Sequence, residues 1–151
     1  MSAIVSGSPM PLFDRLAAGG EAHLPGADAL RESVALELGR LLNARSRLTF
    51  DAFAATDGTV IDYGVPDFSE RSLQSGADRD AIAAVIQRAI SLFEPRLANV
   101  TVTFAPTAGP GRDAVLLIGG DMRIGATVGH VAFELAPGGQ VAADPRWAES
   151  A

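Results

Sequence analysis

The stretch Ile90-Ser91-Leu92-Phe93-Glu94-Pro95-Arg96-Leu97 is where the chain changes its period. Upstream of it, Ile82, Val85, Ile86, Ala89, Ile90 and Phe93 recur at helical spacing, and Leu97 continues the stripe beyond the proline. Asp80, Gln87 and Ser91 fall on the side expected to face solvent, with Arg88 at its border. Ser75-Gly76-Ala77-Asp78 has the spacing of a capping box and predicts where this helix starts. Proline removes a backbone donor and pushes the residue before it out of helical geometry, so the helix should kink or stop at Glu94. Val100, Val102 and Phe104 then alternate with Thr101 and Thr103, as in a half-buried strand. An acid and a base therefore flank a rigid joint between a helix and a sheet.

Downstream, residues 105–113 hold Pro106, Gly109, Pro110 and Gly111 and read as a loop too long for a tight hairpin. Ala114 to Ile118 is a continuous apolar run suited to a central strand. Gly119-Gly120-Asp121 predicts a bulge or bend before Met122-Arg123-Ile124. Val131, Phe133 and Leu135 alternate in what reads as the last strand, and Pro137-Gly138-Gly139 ends the domain. Arg146-Trp147 sits in the tail, where a tryptophan can anchor a contact or fold back.

Upstream, a first long helix is predicted from Asp28, as N-cap, to about Arg45. Its core stripe is Leu30, Val34, Leu38, Leu41 and Leu42, with Leu36 on the opposite side. Arg45 projects near the C-terminal end of that stripe, where a charge should cap helix carbonyls or meet a carboxylate, Glu94 being one candidate. Between the helices, Thr49 to Phe53 reads as a short strand or turn. Asp57 to Phe68 mixes turn signals with apolar Val60, Ile61, Val65 and Phe68, and is expected to be a packed connection. Residues 1–27 are punctuated by glycine, proline and serine and read as a loosely ordered arm. Leu12, Phe13 and Leu16 form its one apolar cluster, a possible anchor for a neighbour. Helices followed by strands predict an α+β fold, with two main helices on one face of a small, mainly three-stranded antiparallel sheet. The domain is expected over residues 28–136 and a tail over 137–151.

Composition narrows the function classes. The 151 residues suffice for one ordinary core. Twelve basic residues, all arginine, against eighteen acidic ones give a net charge of -6, which lacks the field that draws nucleic acid. With no cysteine there are no disulfides or thiolate metal sites, as suits a reducing compartment. No apolar run approaches the roughly 20 residues that span a bilayer, and the first residues lack the pattern of a signal peptide. The expectation is a cytoplasmic protein without membrane insertion. His23 and His130 have no neighbouring His or Cys to complete a metal site. No serine lies in a nucleophile elbow, and no glycine-rich loop leads into a helix. No cofactor or small-molecule substrate is expected.

Three motifs in order point to a family. Ser33-Val34 through Leu41-Leu42-Asn43-Ala44-Arg45, then Asp62-Tyr63-Gly64-Val65-Pro66-Asp67-Phe68, then Glu94-Pro95-Arg96-Leu97 before a strand, together resemble the baseplate wedge family of contractile injection machines. The pattern looks most like that of the type VI secretion baseplate subunits called TssE, relatives of a wedge protein of contractile-tailed phages. It covers roughly residues 10–136, while the 105–113 loop and the tail after Pro137 carry nothing that matches.

The resemblance implies a structural subunit that docks to other wedge subunits and joins the baseplate to the contractile sheath. Glu94, Pro95 and Arg96 would be the docking triplet, Arg45, Tyr63, Gly64 and Pro66 its structural support, and the sheet would continue into sheath strands. Independently of the resemblance, a proline-locked pair of charges loses little entropy on meeting a partner, and an open sheet edge offers unpaired backbone groups. The competing reading of the triplet is an internal ion-pair set, for example Glu94 with Arg45. Relatives have also carried a lysozyme-like label, so a glycan hydrolase acting on peptidoglycan is the alternative. Glu94 would be its acid and Asp62, Asp67 or Asp121 its second carboxylate, one of the pair needing a raised pKa.

Overall fold

The computed structural model describes residues 8–19, 23–24, 26–106, 114–136 and 139–143. In chain order the elements are β1 (Ser8–Pro9), α1 (Leu12–Ala18), β2 (His23–Leu24), α2 (Ala27–Asn43), α3 (Phe50–Ala55), a 3-10 turn (Val60–Asp62), α4 (Gly76–Phe93), β3 (Leu97–Pro106), β4 (Ala114–Ile124), β5 (Thr127–Leu135) and β6 (Val141–Ala143).

The two long helices follow the apolar stripes. On α2 the buried face is Leu30, Ser33, Val34, Ala35, Leu38, Leu41 and Leu42; on α4 it is Ile82, Val85, Ile86, Ala89 and Ile90. Their ends differ from the expectation in one detail: Gly26 precedes α2, and Asp28 lies inside the first turn, paired with Arg31 at 2.8 Å. On α4, Ser75 caps as expected, its hydroxyl accepting from the Asp78 backbone N–H at 3.3 Å. The Asp78 carboxylate turns instead to Arg71 and to the backbone N–H of Ser72. Ser75→Ala should cost about 1 kcal/mol in a urea titration.

Arg88 is not on the solvent side. It donates to the backbone carbonyls of Phe53 and Thr56 and so closes the C-terminal end of α3. That segment was expected to be a strand or turn. It is a helix because Thr49 accepts from the Ala52 N–H at 3.3 Å, and its Phe53 side chain is fully buried.

The sheet is antiparallel in the order β3-β4-β5-β6, four strands rather than three. The additional strand lies beyond Pro137-Gly138-Gly139, where the domain was expected to end. Ala143, Ala142 and Val141 pair with Phe133, Glu134 and Leu135. Inward residues align across the ladder: Val102 opposite Ile118, Ile118 opposite Phe133, and Leu97 opposite Met122. With the buried faces of α2 and α4 they form one core, the α+β arrangement with the helices on one face of the sheet.

The irregularity predicted at Gly119-Gly120-Asp121 lies in the partner strand. Between β4 and β5 the register runs unbroken through both glycines, whereas β3 shifts by one residue against β4 between Ala98 and Thr101. Asn99, at φ +49°, is in the bulge. One extra residue restores the inward parity, so that Leu97 and Val100, three apart, are both buried. Gly119 permits this because a Cβ there would lie 2.8 Å from the Thr101 hydroxyl.

Within the region expected to be an arm, β1 pairs with β2 and Leu24 joins the core. Residues 1–7, 107–113 and 144–151, the last including Arg146-Trp147, lie outside the described set.

Candidate functional site

The joint that opened the sequence is a closed four-residue turn. α4 ends at Phe93, and Glu94 takes φ -121° and ψ 82°, outside the helical region that a following proline disfavours. Its N–H still donates to the Ile90 carbonyl at 2.8 Å, and its own carbonyl accepts from Leu97 N–H at 3.2 Å. Pro95 therefore occupies the second position of a turn, which its fixed φ suits.

The two charges close on each other. Arg96 donates from Nε to Oε1 of Glu94 and from Nη2 to Oε2, both at 2.8 Å, while the Arg96 backbone N–H reaches Oε1 at 3.1 Å. The fork is the planar two-point geometry that guanidinium and carboxylate match best. Nη1 of Arg96 donates to the hydroxyl of Ser33 on α2 at 2.9 Å. Glu94 is 4% exposed. Three elements, α2, α4 and β3, are thus bound at one buried ion pair.

Arg45 takes no part in it. Its Nη1 donates to the Leu42 carbonyl at 3.0 Å, capping its own helix, and its guanidinium lies 5.1 Å from the centre of the Phe68 ring. The sequence allowed the cap and the Glu94 pairing; the geometry selects the cap.

The Asp62-to-Phe68 motif fastens the connection onto the end of α2. Val65 N–H donates to the Ala44 carbonyl and Ser46 N–H to the Val65 carbonyl, each at 3.0 Å. Gly64, at φ +113°, is required by that approach, since a Cβ would sit 2.7 Å from the Ala44 oxygen. Val65 and Pro66 are buried. The Tyr63 ring meets Phe93 edge-on, with 5.2 Å between centroids. Burial, then the nearby Glu37 charge, pushes the Tyr63 hydroxyl above its ordinary pKa. Tyr63 thereby links this motif to the Glu94 joint.

Beside the joint is an open groove of about 270 Å³ lined by Met10, Pro11, Glu37, Phe93, Glu94, Pro95 and Arg96. Pro95 is exposed at its rim. Glu37 pairs with Arg40, which also reaches Asp14 of α1 at 3.6 Å.

The carboxylates weighed for glycan hydrolysis have other engagements. Asp62 is buried and accepts from Thr59 Oγ1 at 2.8 Å, from Thr59 N–H, from Thr56 Oγ1 and from Arg47. The Thr59 hydroxyl bond leads in holding its pKa below the usual value. The Ser69 backbone bond does the same for Asp67. Asp121 is lowered first by Asn99 and then by His130, bonded at 2.8 and 3.0 Å. A general acid needs the opposite shift, and none of these three lines the groove. Both oxygens of Glu94 are occupied by Arg96.

Depressed values make a pH statement. Stability from Asp62 is fully present above the ordinary aspartate pKa of about 4 and is lost as pH falls through the lower folded value. Asp62→Asn should therefore be less stable than wild type at neutral pH, with the two acid-unfolding curves converging below that range in circular dichroism.

Residues 28–127 match the family described as baseplate wedge protein gp25. The chain belongs to this family. No curated relative matches the sequence. The match runs from the first turn of α2 to the start of β5, and contains all three motifs together with the turn, fork and groove wall formed by Phe93 to Arg96. As a baseplate wedge protein, the chain is a structural component that meets other baseplate proteins. Among the described residues no helix is long and apolar enough to cross a membrane, and no three His, Cys, Asp or Glu side chains converge as a metal site. The sequence reading quoted Ser33 as part of a motif without singling out its hydroxyl, and did not single out Met10, Pro11 or Glu37 of the groove. The signal for Ser33 was a hydroxyl on the buried stripe of α2, three residues after Leu30, where it needs a partner.

Proposed function

We propose that this wedge protein is a non-catalytic connector in a contractile injection machine of the type VI secretion kind, working on the cytoplasmic side. The groove at Glu94-Pro95-Arg96 docks onto other wedge subunits, and the sheet joins the baseplate to the sheath through an open strand edge. The observation that carries the docking role is the form of the corner. The ion pair is satisfied internally, so it holds Pro95, Phe93 and the groove wall in one shape, and a partner meets a surface already ordered. Arg45, Tyr63, Gly64 and Pro66 support the corner by fastening the intervening connection to α2 and, through Tyr63, to Phe93. For the sheath, β3 and β6 are the two edges of the sheet, where unpaired backbone groups can accept a strand.

Because Glu94 and Arg96 hold the fold, docking is better tested at exposed Pro95. Pro95→Arg should leave the melting temperature within a few degrees of wild type while reducing co-purification with the machine's wedge subunits at least tenfold; undiminished co-purification would sink the docking role. The hydrolase reading predicts soluble sugars released from peptidoglycan by purified protein, and none are expected at high protein concentration.

A further inference from the structure

The segment before α2 is fastened at one end and weakly held at the other. Its fixed end is β2, where Leu24 joins the core and pairs with Ser8 of β1. The β1–β2 ladder is two pairs long, and one of its residues is Pro9, which has no N–H to give. Met10 packs partly buried against the core. Beyond it, every residue from Leu12 to Gly19 except Asp14 is exposed, and α1 buries none of its side chains. Burial of an apolar face, which supplies most of a helix's stability in a protein, therefore does little to seat α1. Its seven residues are also too few to hold a helix unaided, since isolated helices under about 12–15 residues are marginal in water.

A charge contact keeps α1 in place. Among the described residues, the polar tie from α1 to the rest of the molecule is Asp14 to Arg40 of α2, at 3.6 Å, with side chains 29% and 46% exposed. A pair so exposed contributes little and is screened by salt. Arg40 is shared, because it also pairs with Glu37, which lines the groove at the corner. Met10 and Pro11, at the root of α1, line the same groove together with Phe93 to Arg96. The weakest-held part of the described chain thus forms part of the groove's lining.

We infer that residues 8–18 are a salt-latched strap over the corner: β1 and α1 lift from α2 while β2 stays seated, uncovering the groove wall from Phe93 to Arg96. Lifting takes Met10 and Pro11 off the groove and leaves Arg40 to Glu37 alone. Closed, the strap narrows what a partner can reach beside Pro95; open, it frees that wall. Segments with few buried contacts open locally at far less cost than the core unfolds. The motion stands by itself, whereas its effect on binding rests on the docking role proposed above for the corner.

The chain has no cysteine, so spin labels can be placed on introduced pairs alone. In the full chain, Leu16→Cys with Leu73→Cys, both exposed sites, reads the distance from α1 to the start of α4. Leu36→Cys with Leu73→Cys, again exposed, reads two places that stay put. In pulsed electron paramagnetic resonance the first pair should show a second, longer distance, whose share about doubles when NaCl is raised from about 20 to about 500 mM. Asp14→Asn should show the longer distance at both salts with an unchanged melting temperature, and Asp14→Glu should keep the salt dependence. The second pair should not move. A single distance from the first pair, indifferent to salt and to Asp14→Asn, overturns the inference.

For binding, Asp14→Asn co-expressed with the wedge subunits of its machine should co-purify about threefold better than wild type at low salt. If the strap lifts but Asp14→Asn binds no better, while Pro95→Arg binds poorly, the gating is overturned and the corner reading stands. If Pro95→Arg binds normally, the corner reading is what falls, and the salt-latched motion is upheld by the distances.

Discussion

Arg96→Ala is expected to lower stability by about 3–5 kcal/mol, the range for removing one partner of a buried pair. At roughly 2–4 °C per kcal/mol for a chain of this size, the melting temperature should fall by about 6–20 °C. The cause is the charge left behind. Glu94 is 4% exposed and both its oxygens are bound by the guanidinium, so truncating Arg96 leaves a largely buried carboxylate without its partner. Removing both charges is different. Glu94→Gln with Arg96→Met leaves no ion to desolvate, and its loss should be smaller than the sum of the two single losses, by a coupling of about 1–3 kcal/mol. Additive losses in a double-mutant cycle would show that the fork contributes little beyond packing. A binding defect in any Glu94 or Arg96 variant has to be interpreted beside its melting curve.

Gly64→Ala should be comparably severe. At φ +113° the backbone is in a region that side chains rarely adopt, costing about 1–3 kcal/mol. In addition, the new methyl would lie 2.7 Å from the Ala44 carbonyl oxygen and 2.8 Å from the Ser46 nitrogen. Those atoms belong to the two bonds that tie the connection to α2, so relieving the overlap means separating them. A total of roughly 3 kcal/mol or more is expected from chemical denaturation. Gly125→Ala is the comparison. Its φ is +63° in the β4–β5 turn, but nothing lies within 4 Å of the added carbon, so only the conformational cost of about 1–2 kcal/mol should appear. Equal losses at the two positions would place the whole effect in φ and none in the close approach.

What the sequence disclosed follows the range of the interactions involved. The α4 stripe, its Ser75 cap and the stop at Pro95 are local, and each is where period and proline placed it. The α+β arrangement was legible in the same way. The fourth strand was not. Val141-Ala142-Ala143 is too short to carry a period, and it exists because β5 offers its edge and Asn43 of α2 donates to the Gly139 carbonyl at 2.8 Å. The glycines at 119 and 120 marked a real irregularity, but not the strand that bears it: small residues report a close neighbour without saying which chain bulges. At the corner, the nearness of Glu94 and Arg96 was plain from two-residue spacing, while their choice of each other over Arg45 depended on a turn geometry that spacing does not contain. Ser33 was read for its place in a motif and not for its hydroxyl.

The Asn43–Gly139 bond also bears on the order in which the molecule assembles. It joins residues 96 apart in sequence, whereas α4, β3, β4 and β5 each pack on the element next in the chain. Closing a long loop costs entropy before its contacts repay it, and such contacts slow folding. The hairpins from α4 to β5 can therefore form among themselves, leaving the seating of α2 against β6 as the late step. Asn43→Ala should accordingly speed unfolding more than it slows refolding in stopped-flow measurements.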